Sequence, residues 1–263
     1  MNQAISQQLL NNEQEKTFLH VGCGRTSKPE AGPGFQSRQW RELRLDIDPD
    51  VKPDIIGSMT DMSALEDGSV DAVFSSHNIE HLYPHEVPVA LKEFIRVLKP
   101  DGFAVITCPD LQSTAEMIVS GKLLEPAYVN PVKGALWPVC PIDIFYGHRA
   151  SIAAGQPYMA HHCGFTLDIM LATLKEAGFP AVAGGLRRGI FDMWVIACKE
   201  PLDDHTLFQR AEQHFPFVNE PAFVMDPLVS GSKQTPLWSS SETRQTALIT
   251  ELMKESTAIN HTA

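Results

Sequence analysis

The run Phe18-Leu19-His20-Val21-Gly22-Cys23-Gly24, followed after a polar loop by Arg44-Leu45-Asp46-Ile47-Asp48, constrains the fold more than any other stretch of the chain. An apolar run ending in Gly-x-Gly is what a parallel strand needs when its last turn must let a bound molecule approach the backbone. A side chain there would block it. The second run carries a carboxylate, Asp46, 22 residues after Gly24. A carboxylate at such a strand end can accept both hydroxyl protons of a ribose. The two runs together describe a pocket for an adenosine-containing cofactor.

Read alone, that arrangement suits nicotinamide and S-adenosylmethionine cofactors alike. Composition narrows the partners. The 263 residues are enough for one large domain and a sizeable core, with a hydrophobic fraction of 43% and a charged fraction of 20% that are ordinary for a soluble protein. Lys and Arg number 21 against 32 Asp and Glu, a formal net charge of -11. No long-range attraction therefore draws the chain to nucleic acid or to an anionic membrane. Cys23, Cys108, Cys140, Cys163 and Cys198 form no Cys-x-x-Cys pair and read as reduced thiols of an intracellular protein. No basic flank with a long apolar segment marks the amino terminus, and no run approaches the ~20 apolar residues of a membrane span. The expected location is the cytoplasm.

Taken in order, residues 1–16 form a polar N-terminal arm, and Thr17 to Gly22 is the first strand. Pro29, Gly32, Pro33 and Gly34 leave no room for a long helix before the second strand, Arg41 to Asp48. A short third strand covers residues 53–57, and the apolar run Val70 to Phe74 suits a strand buried on both faces. Apolar residues spaced by three and four predict a helix from Pro84 to Leu98, ended by Lys99-Pro100-Asp101-Gly102. A strand from Phe103 to Cys108 and a helix to Ser120 follow. Residues 121–160 break the rhythm as a long irregular insertion rich in proline and aromatics, expected on the substrate side. Thr166 caps and Gly178 stops a helix, and strands at 180–186 and 193–198 complete the alternation. The expected fold is α/β, a Rossmann-like doubly wound and mostly parallel sheet of about seven strands over residues 17–200. Residues 201–263 form a C-terminal extension with one helical candidate, Glu242 to Glu255. It is open to three uses: covering the site, joining a second subunit in a homodimer, or standing loose.

The run Ser69-Val70-Asp71-Ala72-Val73-Phe74-Ser75-Ser76-His77-Asn78-Ile79-Glu80-His81-Leu82, with Phe94-Ile95-Arg96-Val97-Leu98-Lys99-Pro100-Asp101-Gly102 after it, resembles the class I S-adenosylmethionine-dependent methyltransferases of the type 11 group. The resemblance spans roughly residues 17–200. It implies that Gly22 and Gly24 line the methionine part of the cofactor and that Asp46 holds the ribose hydroxyls. It further implies that Ile47 packs on the adenine, that Ser58 and Met59 meet the adenine edge, and that the backbone at His77 faces the cofactor's amino group. This sequence departs from the family pattern in three places: His20 where an acidic residue is common, no third turn glycine, and the Pro/Gly loop in place of much of the first helix.

Methyl transfer is an in-line displacement at a sulfonium, so the protein mainly aligns and desolvates the acceptor. For a hydroxyl acceptor His81 is the first candidate base, although Glu80-His81 also suits a purely structural helix start. Tyr146, His148 and Arg149 of the insertion, with His161 and His162 before the last helix of the alternation, are a second candidate set, and Tyr146-Gly147-His148-Arg149 beside an aromatic lid suits gripping an anionic or hydroxylated acceptor. His77-Asn78-Ile79-Glu80-His81 also matches the His-x-x-Glu-His of one zinc peptidase group. That group carries it within a long helix, whereas here a strand precedes it and Pro84 follows, so no metal is expected. Cys23 reads as a small filler between the glycines. The expected activity is methyl transfer from S-adenosylmethionine to oxygen or nitrogen of a small molecule. A nicotinamide-dependent oxidoreductase and a catalytically inactive cofactor-binding interaction protein are the alternatives.

Overall fold

A computed structural model of the chain describes residues 15–26, 28, 31–132 and 135–216. Most of the sequence-predicted arm and the helical candidate at 242–255 lie outside the described residues. Seven strands form one sheet: β1 (Lys16–Val21), β2 (Trp40–Asp46), β3 (Ile55–Ile56), β4 (Val70–Ser76), β5 (Leu98–Pro109), β8 (Ala181–Arg187) and β9 (Asp192–Cys198). Their order is β3-β2-β1-β4-β5-β9-β8, parallel throughout except that β9 runs antiparallel to both neighbours. The order reverses beside β1, so the carboxyl ends of β1 and β4 diverge into different loops and open a crevice there. This is the Rossmann-like α/β sheet that the alternation predicts.

Two helices, α1 (Val87–Val97) and α5 (Leu167–Ala177), pack side by side on one face. In α1 the buried residues Val87, Ala90, Leu91, Phe94 and Val97 recur at three and four, which gives one apolar stripe to lay on β4 and β5. The helix begins at Val87 rather than Pro84, because the Tyr83 amide donates to Glu86 Oε2 at 2.8 Å and holds 83–86 as a turn. Lys99 to Gly102 is not a turn outside the sheet. It belongs to β5, whose pairing with β4 jumps from Val70↔Leu98 to Ala72↔Phe103 across a bulge. Thr166 caps α5 through the Ile169 amide at 3.5 Å, and Gly178, at φ +116°, ends it.

The opposite face lacks a first crossover helix among the described residues and is covered in another way. Between β1 and β2 a 3-10 turn, Pro33–Phe35, buries Phe35 completely. Its ring stacks on Phe18 at 4.5 Å and meets Trp40, Phe74, Phe103 and His214. His214 belongs to α6 (Asp204–His214), which packs on β8 and on this turn. The first part of the C-terminal extension thus completes the core of the sheet, a role the sequence pattern does not announce.

The stretch 121–160 is more ordered than an irregular insertion. After α2 (Leu111–Val119) come a hairpin of β6 (Tyr128–Val132) and β7 (Ala135–Val139), the short helices α3 (Pro141–Tyr146) and α4 (Arg149–Ala153), and a 3-10 turn at Pro157–Met159. Tyr158 Oη donates to Asp48 Oδ2 at 3.5 Å, so the insertion reaches across to the end of β2. Among the described residues no helix is long and apolar enough to cross a membrane.

Candidate active site

Gly22, Gly24, Asp46, Ile47, Ser58, Met59 and His77 all line one cleft of about 650 Å³ at the carboxyl ends of β1, β2 and β4. The two glycines serve different ends. At Gly22, φ +58°, an added Cβ would stand 2.1 Å from Asn78 Oδ1, whereas at Gly24, φ +53°, it would meet nothing within 4 Å. Gly22 therefore makes room for Asn78, whose amide donates to Val21 O and Ser76 O at 2.9 Å each and ties the ends of β1 and β4 together. Gly24 leaves open space over the cleft floor. Asp46 is buried, with Oδ2 accepting from the Gly24 amide at 2.7 Å and Oδ1 from the Asp48 amide at 2.9 Å. Each oxygen keeps a second lone pair for a ribose hydroxyl, so the donor set and the open backbone fit an adenosine cofactor. Ile47 is half exposed on the cleft wall, where an aromatic base can cover it. His20, buried at the same strand end, binds Glu42 Oε1 through Nδ1 at 2.7 Å. Burial pushes the Cys23 thiol up to about 11, as befits a filler.

A second cavity, of about 740 Å³, adjoins the first. Thr26, His77, His81, Gln156 and Met159 line both. The rest of its wall is largely apolar, with Pro109, Val139, Ile144, Ala150, Ala154 and Phe191. Polar side chains converge at one end. His77 sits at φ +53°, a left-handed conformation unusual outside glycine. Its Nδ1 lies 3.4 Å from Glu80 Oε1 and its Nε2 3.6 Å from Asp192 Oδ2, and Asp192 is itself held by Arg187. The ring's place within the cleft works against its charged form, but the bonds and charges of Asp192 and Glu80 outweigh this and push its pKa up to about 9.

Glu80 is buried at 1% exposure, with His77 Nδ1 3.4 Å from Oε1 as the nearest donor and no closer hydrogen bond on either oxygen. Burial would raise its pKa, yet the nearby rings of His77, His81 and His161 hold it below the usual carboxylate range. His81 donates from Nδ1 to Ala160 O at 3.0 Å and His161 from Nδ1 to Ile144 O at 2.8 Å, since a carbonyl can only accept. Both rings therefore present an Nε2 lone pair when neutral. Burial pushes the His161 ring below its ordinary pKa. The segment carrying His161 is pinned by the His162 and Cys163 amides, which donate to Glu80 O at 2.9 and 3.2 Å. Gly147 allows the crossing, because a Cβ there would stand 2.0 Å from Met159 O.

The fold brings His81 and His148 to the wall of the second cavity. Tyr146 is 66% exposed and lines neither cavity. Asp192, Asn78, Gln156 and Tyr83, which stacks on the sequence candidate His162 at 4.2 Å, are site residues that sequence reasoning does not single out. Asn78 stands inside the quoted motif, but nothing in sequence links Asp192 to it. Arg96 of the second motif is structural. It bonds Met62 O and Leu65 O and pairs with Glu93 and Asp67, stapling the loop before β4 to α1.

Residues 19–106, which hold the carboxyl half of β1, all of β2 to β4, most of β5 and the cleft residues Gly22, Gly24 and Asp46, match the family model described as a methyltransferase domain. The chain carries a class I S-adenosylmethionine-dependent methyltransferase domain. S-adenosylmethionine is the cofactor of this class, and Gly24 and Asp46 of the 650 Å³ cleft lie within the matched residues. Comparison with curated proteins gives no match. Similar solved structures include the 1,6-didemethyltoxoflavin-N1-methyltransferase of Burkholderia thailandensis with bound 1,6-didemethyltoxoflavin and S-adenosylhomocysteine. It is 14% identical over 74% of this chain and 75% of that one, with a TM-score of 0.44. An S-adenosylmethionine-dependent methyltransferase of Archaeoglobus fulgidus is 16% identical over 74% and 91%, with a TM-score of 0.45. Another from Mesorhizobium loti is 15% identical over 74% and 96%, with a TM-score of 0.43.

Proposed function

We propose that this methyltransferase acts in the cytoplasm on oxygen or nitrogen of a small molecule held in the 740 Å³ cavity. The observation that carries the reading is the junction: the cofactor cleft opens directly onto that cavity through shared walls at Thr26, His77, His81, Gln156 and Met159. When bound, the cofactor supplies a methyl group already activated on a sulfonium. The chain's own residues then have to position, dry and deprotonate the acceptor. The apolar wall suits an organic body of drug-like size. His81 stands at the junction with its Nε2 lone pair fixed by the Nδ1 bond to Ala160 O, and serves as the group that activates the acceptor. His148, further along the same wall, binds a second polar group. A net charge of -11 disfavours nucleic acid as the acceptor.

Incubating the protein with methyl-labelled cofactor and a metabolite extract tests this directly. A labelled product of small mass is expected. Label confined to nucleic acid, or none in the presence of bound cofactor, overturns the reading, the second outcome in favour of a non-catalytic cofactor-binding protein.

A further inference from the structure

We propose that Glu80, His81 and His161 form a binding site for a divalent transition-metal ion, Zn²⁺ or one of similar ligand preference. One ligand atom from each lies within 4.8 Å of the others. A tetrahedral ion with bonds of about 2.1 Å sets its ligand atoms roughly 3.4 Å apart, so small side-chain rotations close the set. The sequence offers His77-x-x-Glu80-His81 as a metal motif, but the ligand set in the fold is a different one. Its third member comes from the segment after the insertion, 80 residues further on than His81.

Three independent features fit an ion. Both imidazoles donate Nδ1–H to backbone carbonyls, those of Ala160 and Ile144, which is how ligating histidines are held with Nε2 free to bind. The Glu80 carboxylate is almost wholly buried, with His77 Nδ1 3.4 Å from Oε1 and no donor on Oε2. A buried anion left in that state is costly unless a cation answers it. His77 Nδ1 at 3.4 Å answers one oxygen from outside the set. Finally, all three residues line the 740 Å³ cavity, so a fourth coordination position faces the acceptor, the arrangement of a catalytic rather than a closed structural site. Two imidazoles and one carboxylate are a ligand set that suits zinc or iron(II).

What the ion does there rests on the proposed function above. His81 activates the acceptor through the ion instead of as a free base. The acceptor hydroxyl, bound at the open position, loses its proton to water more readily. Its oxygen electron pair then forms the new bond to the methyl carbon as the sulfur–carbon bond breaks, leaving a neutral thioether.

Ion binding itself can be read without any activity. The full chain, stripped with a chelator, is titrated with Zn²⁺ by calorimetry and with Co²⁺ by visible absorption, alongside the isosteric Glu80→Gln and His161→Gln. One ion per chain is expected, weakened at least about tenfold in each variant. S-adenosylhomocysteine affinity is expected to be unchanged in His161→Gln, because His161 does not line the cofactor cleft. Thermal melts check folding, and either folded variant suffices. Failure of the wild type to take up one ion, or equal affinity in a folded variant, overturns the site. Loss of the methyltransferase reading would show separately, as absent S-adenosylhomocysteine binding with ion uptake intact.

Discussion

At Gly22 the backbone holds φ +58°, and a Cβ would collide with the Asn78 amide that bridges β1 and β4. Gly22→Ala adds left-handed strain and displaces two hydrogen bonds, so we expect a loss of roughly 2–4 kcal/mol, read as a lower melting temperature. Gly24→Ala has open space and meets only the strain. On the far face, His214 is buried among Phe35 and Phe103, with Nδ1 donating to Arg210 O at 2.8 Å. Burial pushes its pKa down to about 4. Because the unfolded ring ionises near 6.5, the unfolded chain binds the proton more readily between those values. The stability tied to His214 is complete above pH 6.5 and falls as pH drops towards 4, by a total on the order of 3 kcal/mol. Denaturant melts between pH 4 and 7 should show this slope in the wild type and lose it in His214→Leu. Residues that shape the backbone at strand ends are legible in the sequence, because Gly-x-Gly and the Asp46 carboxylate are chemically distinctive where they stand. Asp192 is not, since it meets the site only through tertiary contacts far from the motif, and His161, a candidate by residue type, shows its place beside Glu80 and His81 only in the fold.

Among the elements, α6 shows why a helix can escape a sequence reading. Its buried positions are Leu207, Ala211 and His214, a stripe in which one of three members reads as polar, so the amphipathic period is faint. The 3-10 turn at Pro33–Phe35 and α6 together do the covering that a first crossover helix does in most doubly wound sheets. Gly34 permits this, because a Cβ would stand 2.2 Å from the His214 ring. Leu207 is 4% exposed within this cluster, and Leu207→Ala should cost about 2–5 kcal/mol. Urea melts would measure it, and a change below the error of the method would show that α6 merely rests on the sheet. The insertion also acts as an element. The α3 helix holds the His161 ring through Ile144 O, while Gln156 and Met159 reach both cavities. Its proline and aromatic content marks it as functional, but no periodic signal shows the hairpin and the two short helices inside it.

Across the whole molecule, the sheet order reverses beside β1, the 650 Å³ cleft opens at that point, and residues of the insertion line a second cavity against it. The α/β alternation predicts this frame because buried parallel strands read as continuous apolar runs between helical stripes. We propose that S-adenosylmethionine binds in this cleft with Asp46 on its ribose. Calorimetric titration of S-adenosylmethionine and of NAD into the wild type and Asp46→Ala tests it most directly. We expect one S-adenosylmethionine site per chain, weakened roughly 10- to 100-fold in the variant through lost charge-assisted hydrogen bonds, and no heat with NAD. Unchanged affinity in Asp46→Ala, or binding of NAD in place of S-adenosylmethionine, would contradict the account.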